Sequence, residues 1–122
     1  MAKIIYIDKK LNYLPVENNE GNREYKLILN NSNKLKLEKL TTQIKYRLYE
    51  GKGKALYLIG VKDDGEPIGI NDIQLYNSLK IIMNLTKKIN AHINIIRIYK
   101  GNNGNIATIR INKIINDEFY DL

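Results

Sequence analysis

The sequence has no cysteine, no tryptophan, two prolines, one phenylalanine and one histidine. Without cysteine there can be no disulfide, thiolate zinc site or cysteine nucleophile, and a reducing compartment is permitted. The single histidine, His92, has no serine or carboxylate tied to it by a recognisable motif, so a structural role is the ordinary reading. Long apolar runs are missing too, and nothing approaches the length of a membrane span. The opening MAKIIYIDKK is too short and too soon charged for a signal peptide. These absences lead to the expectation of a soluble, cytoplasmic chain with no membrane partner. Acid is the scarcer sign, 13 Asp and Glu against 20 Lys and Arg. Asp63, Asp64, Asp117 and Glu118 fall in turn-like or terminal segments, where solvated carboxylates lack the burial that acid–base catalysis needs.

What is present is a basic chain of 122 residues with a formal charge of +7 and a sequence pI of about 9.5. The length fits one domain. The charge favours an anionic partner: nucleic acid first, an acidic protein second, a membrane surface third. A second reading of the same charge is compositional, because Ile, Asn and Lys are abundant together, the residues of A/T-rich codons.

Residues 1–23 are expected to form a mobile leader. The stretch DKKLNYLPVENNEGNR (8–23) is polar, contains Pro15 and Gly21 and shows no periodicity. In EYKLILN (24–30), Tyr25, Leu27 and Leu29 alternate as in a half-buried strand. Leu37, Leu40, Ile44 and Leu48 then recur at helical spacing, with Ser32 or Asn33 to cap the start and Gly51 to stop the end. ALYLIGV and PIGI read as two strands around KDDGE, with Pro67 on an edge strand or at its first residue. A second helix spans 71–91 on the stripe Leu75, Leu79, Ile82 and Ile89, with Asp72 as N-cap and Lys87 and Lys88 at the C-terminal end. Two β-branched runs around GNNGN make a terminal hairpin. The expected fold is α+β over residues 24–115, a mixed sheet with two helices packed on it in the order β-α-β-β-α-β-β. Residues 116–122 are left as a tail.

The segment EGKGK, 50–54, raises the question of a phosphate site. A phosphate loop of the Walker type needs G-x-x-x-x-G-K-[ST] between a strand and a helix. Here GKGK follows a helix and precedes a strand, and no Gly-Lys-Ser or Gly-Lys-Thr occurs. Asp63, Asp64 and Glu66 lack the calcium-loop pattern, and an Asp-Gly turn accounts for them. No catalytic, cofactor-binding or metal-binding residue is therefore assigned.

The stronger functional signal is cationic. Winding the first helix at about 100° per residue sets Lys36, Lys39, Gln43, Tyr46 and Arg47 opposite its apolar stripe. Such a face can neutralise phosphates and stack a base, and Lys52 and Lys54 extend it. Arg97, Lys100 and Arg110 surround the terminal hairpin, which could project into a groove or along an RNA backbone. The plain alternatives are a solvated helix face and charges that protect a sheet edge. Tyr25 and Tyr57 fall in strands and read as core.

The run LEKLTTQIKYRLYEGKGKALYLIGVKDDGEPIGI, followed by SLKIIMNLTKKINA and HINIIRIYK, resembles the domain preceding the GTPase core in elongation-factor-like translational GTPases of the GTP-binding-protein-one and -two type, with archaeal and viral relatives. That family's pattern is a helix L-x-x-L-x-T-Q-x-K-x-R-L, then E-G-x-G-x-A-x-Y-x-I-G-V-x-D-x-G. Leu37, Leu40, Thr42, Gln43, Lys45, Arg47, Leu48, Glu50, Gly51, Gly53, Ala55, Tyr57, Ile59, Gly60, Val61, Asp63 and Gly65 match it. Lys52 and Lys54 depart from it toward more positive charge. The resemblance covers roughly residues 24–100. It implies a fragment whose tail leads into an absent GTPase domain, with GTP and Mg bound by the parent and not by this part. It also implies RNA, the ribosome, a protein factor or its own GTPase domain as partners. LYLIGVKDDGEPIGI is in addition similar to a segment of Schlafen-type divergent AlbA domains, and the element order is close to an Alba-like sheet. On that likeness the chain would be a stand-alone nucleic-acid-binding module. A purely structural interaction domain is the other alternative.

Overall fold

The structure, a computed structural model, describes residues 2–30 and 33–114. The expected tail at 116–122 and Ser32 as a cap lie outside the described residues.

Alternating β-branched and polar residues place five strands in one sheet: β1 (Lys3–Lys10), β2 (Arg23–Lys26), β3 (Lys54–Ile59), β4 (His92–Lys100) and β5 (Asn105–Asn112). The helices α1 (Lys34–Glu50) and α2 (Asp72–Lys88) separate β2 from β3 and β3 from β4. The sheet order is β1-β4-β5-β3-β2. The two outer strands run parallel to their neighbours, and the inner pairs are antiparallel. The fold is thus α+β, a mixed sheet with two helices, as expected.

Side chains alternate across the sheet, so one set of positions faces the helices. Ala55, Tyr57 and Ile59 of β3, Ile96 and Ile98 of β4, and Ala107, Ile109 and Ile111 of β5 meet Leu40, Ile44 and Leu48 of α1 and Leu75, Ile82 and Leu85 of α2. Each fully buried Ile or Leu contributes roughly 1.5–3 kcal/mol. A smaller cluster of Tyr25, Leu58, Val61 and Ile106 occupies part of the opposite face, under Leu11 and Leu14.

That second cluster corrects the expected leader. Lys3–Lys10 is a strand, parallel to β4, and residues 11–22 are tied down along their length. The Leu14 amide donates to the Gly65 carbonyl, the Glu17 amide to Asp63, and the Tyr25 hydroxyl to Pro15. Gly65 is required there: its φ is +94°, and a Cβ would stand 2.0 Å from the Leu14 carbonyl oxygen.

The observed order is β-β-α-β-α-β-β: relative to the expected one, β1 is added at the start and the strand at PIGI is lost. PIGI is not a strand; it makes one bridge, Ile70 to Asn105, while Pro67 and Ile68 accept from Asn102 and Asn103. The strand expected at 24–30 ends at Lys26, because Leu29 leaves the sheet to be clamped by Ser78, whose Oγ accepts from its amide and donates to its carbonyl. The caps follow the local chemistry. Asn33 accepts from the Lys36 amide, and Asn71, not Asp72, caps α2 in a reciprocal box with Gln74.

Candidate nucleic-acid interface

The Gly-Lys segment is a helix stop. The amides of Gly51, Lys52 and Gly53 donate to the carbonyls of Arg47, Tyr49 and Leu48, the last turn of α1. The helix therefore presents its carbonyl end, which carries partial negative charge, and these three donors are already used. Lys52 at φ 53° and Gly53 at φ 96° form the left-handed exit, and the Gly53 carbonyl accepts from the Lys113 amide. Lys52 and Lys54 keep exposed side chains on either side of this turn.

Of the α1 candidates, Lys36 and Lys39 are exposed and, with Lys26, Leu37 and Gln43, line a shallow groove of about 430 Å³. Gln43 is half-buried and its Oε1 lies 3.5 Å from the Tyr57 hydroxyl. Burial, with Glu24 nearby, pushes that phenol far above its ordinary range, so it stays protonated.

Tyr46 and Arg47 do a different job from the one expected. The Tyr46 hydroxyl donates to the Asn19 carbonyl at 2.8 Å, and its ring stays partly exposed. Arg47 is 3% exposed and does not belong to the basic face. Its Nε donates to Glu24 Oε1, Nη1 to the Gly21 carbonyl and Nη2 to the Asn18 carbonyl, each at 2.8 Å. The Gly21 amide donates to Glu50 Oε1 at 3.0 Å. The C-terminal half of α1 thus clasps the 18–22 loop. The signal was available: Arg47 stands seven residues after Leu40 and three after Ile44, on the buried stripe itself.

The hairpin residues also separate. The turn at 101–104 does not project, because Asn102 and Asn103 donate to Pro67 and Ile68. Lys100 pairs with Asp8 at 2.6 Å on the surface. Arg97 and Arg110 lie on the sheet face away from the helices: Arg97 is opposite Thr108, and Arg110 is opposite both Leu56 and Ile95. His92 is exposed at the start of β4.

Glu17 supplies a pH prediction. Burial pushes its carboxyl above the ordinary 4.5, the Tyr25 amide opposes this, and the Glu24 and Asp63 carboxylates add to it. A carboxyl with a raised folded pKa is protonated more readily folded than unfolded, so its contribution to stability is lost as pH rises through that window. Glu17→Gln, which keeps an acceptor for Tyr25, should raise the urea midpoint at neutral pH. The gain should shrink toward about pH 4; a gain that is the same at both ends would contradict this reading.

GTP-binding protein 2 of Homo sapiens is 44% identical over 85 residues, 70% of this chain and 14% of that protein, and the Mus musculus protein matches equally. The uncharacterized protein R625 of Acanthamoeba polyphaga mimivirus is 32% identical over 108 residues, 87% of this chain and 58% of that one. The chain is therefore a homologue of proteins named GTP-binding protein, and it spans about 14% of the length of those first relatives. No model of a protein family matches the chain, and no solved structure does. Among the described residues, no helix is long and apolar enough to cross a membrane.

Proposed function

We propose that this chain is a non-catalytic accessory domain of a GTP-binding protein concerned with translation, and that its work is contact with RNA, on the ribosome or free. GTP and Mg would belong to the rest of such a parent, whose hydrolytic cycle this domain positions. The reading rests on the homology to GTP-binding protein 2 over 85 residues, joined to a surface on which, among the described residues, Lys36, Lys39, Lys52 and Lys54 have no ion-pair partner. The Gly-Lys turn supports it from the other side, since its amides are used by α1 and leave no cradle for a triphosphate.

Equilibrium binding of single-stranded RNA to the chain across a salt series tests this. The expected result is an affinity that falls steeply with salt, the logarithm of the binding constant dropping with a slope of about −0.7 per phosphate contacted. Absence of binding at low salt would remove RNA from the proposal. Docking on a protein partner is then the second reading, and one observation favours it. Ile73, Tyr76 and Met83 are exposed along one side of α2, with Lys80 stacked over the Tyr76 ring among them, an amphipathic face that a protein surface could cover.

A further inference from the structure

The strand registers place one row of residues across the whole sheet. Lys3 of β1 is opposite Ile95 of β4, Ile95 opposite Arg110 of β5, Arg110 opposite Leu56 of β3, and Leu56 opposite Arg23 of β2. Cation and aliphatic side chain alternate along this row. Four inter-strand steps give it a length of about 19 Å. The flanking rows add Arg97 on one side and Lys54, opposite Asn112, on the other.

The row is on the side the helices do not cover. Its neighbours in register, Tyr57, Ile109 and Ile96, point into the main core, so the row itself points away. Residues 11–17 cover only the Tyr25, Leu58 and Ile106 end of this face. Lys3, Arg23, Lys54 and Arg110 are exposed, and Ile95 and Leu56 are half-buried between them. Among the described residues none of these cations, nor Arg97, has an ion-pair partner. Glu24, the carboxylate of β2, lies on the opposite face, bound to Arg47.

The surface is also shaped. A groove of about 480 Å³ runs between Arg23, Lys54 and Arg110, with Asn94 and Asn112 in its wall. The irregularity between Ile93 and Ile95 inserts Asn94 as an extra residue on β4, the usual way a bulge re-aims a side chain. Guanidinium groups bind phosphate through paired N–H donors, and the amides can both donate to and accept from a ribose or base edge.

We infer that the uncovered sheet face is a binding surface for single-stranded RNA, with its backbone laid along the row Lys3–Ile95–Arg110–Leu56–Arg23. This rests on the reading that the domain contacts RNA, and it moves the contact from the outer face of α1 to the sheet. Phosphates meet Lys3, Arg110 and Arg23, while sugars and bases lie on Ile95 and Leu56. The row holds no aromatic ring, so affinity comes from the backbone and sequence preference is weak. An acidic protein surface fits less well, because three arginines and two lysines spaced over aliphatic ground match a regular polyanion.

Fluorescence anisotropy of a labelled oligouridylate, titrated with the full chain at low salt, tests the inference. The sheet variant Arg23→Glu/Arg110→Glu should weaken binding by about tenfold or more, and the helix variant Lys36→Glu/Lys39→Glu by less than about threefold. The neutral variant Arg23→Gln/Arg110→Gln should reduce the salt slope by about 1.4, the share of two phosphates. Unchanged urea midpoints show that the variants keep the fold. Loss of binding in the helix variant with the sheet variant intact overturns the sheet assignment and leaves the RNA reading standing. No binding by the wild-type chain overturns both. Tighter binding of a DNA strand of equivalent sequence overturns RNA as the occupant.

Discussion

Replacing Arg47 by alanine should destabilise the chain by about 3–5 kcal/mol, the range for removing one partner of a buried ion pair. Arg47 and Glu24 are each 3% exposed, so the substitution leaves a carboxylate away from water with only the more distant Lys26 ammonium, 3.8 Å away, as counter-charge. It also strips donors from the Gly21 and Asn18 carbonyls, which the same guanidinium holds. Lysine is a poor replacement, since its ammonium lacks the fixed fork that reaches three acceptors in different directions. The urea midpoint measures the loss. A change under about 1 kcal/mol would mean that water enters and solvates Glu24, and that the clasp is not closed. A further change, Glu24→Gln in the Arg47→Ala background, should recover part of the loss by removing a buried charge that Lys26 alone compensates poorly.

The second large effect belongs to Gly51→Ala. Here the backbone angle is ordinary, φ −93°, and the constraint is space. A Cβ at this position would stand 1.8 Å from the Lys54 carbonyl oxygen and 2.6 Å from Cβ of Asn22. Backbone cannot yield as a flexible side chain does, so the turn must open, at a cost toward the upper end of the roughly 1–3 kcal/mol typical of overpacking. Opening it also strains the Gly53 amide bond to Leu48 and the Lys113 amide bond to Gly53, which join α1 to β3 and the end of β5. Thermal unfolding of the variant against the wild type reads this directly. An unchanged midpoint would show that the turn is loose, and that its glycines are free to serve some other purpose.

Both helices were legible in the sequence because their stripes repeat locally. Leu40, Ile44 and Leu48, and Leu75 and Ile82, are buried where the periodicity puts them. The terminal hairpin was legible for the same reason. The first strand was not, because KIIYIDKK soon turns polar and its partner β4 lies some ninety residues away in parallel register, a pairing no local pattern announces. Residues 11–22 look like a leader because their anchors are mostly backbone groups, which composition does not reveal. Arg47 was misassigned through its charge: on the helical wheel it belongs with Ile44, and only a buried acid on the neighbouring strand permits it there. The cations of the sheet face were visible one by one. Their alignment with Lys3 and Arg23 exists only once five strands are in register.

The scaffold role of residues 51–54, on which the separation of this domain from nucleotide chemistry depends, is tested most directly by amide NMR during titration with Mg·GTP. The amides of Gly51, Lys52 and Gly53 are bonded to the last turn of α1 and should keep their chemical shifts to saturating nucleotide. Saturable movement of those three resonances, with the rest of α1 unmoved, would place a triphosphate at the Gly-Lys turn and contradict the account.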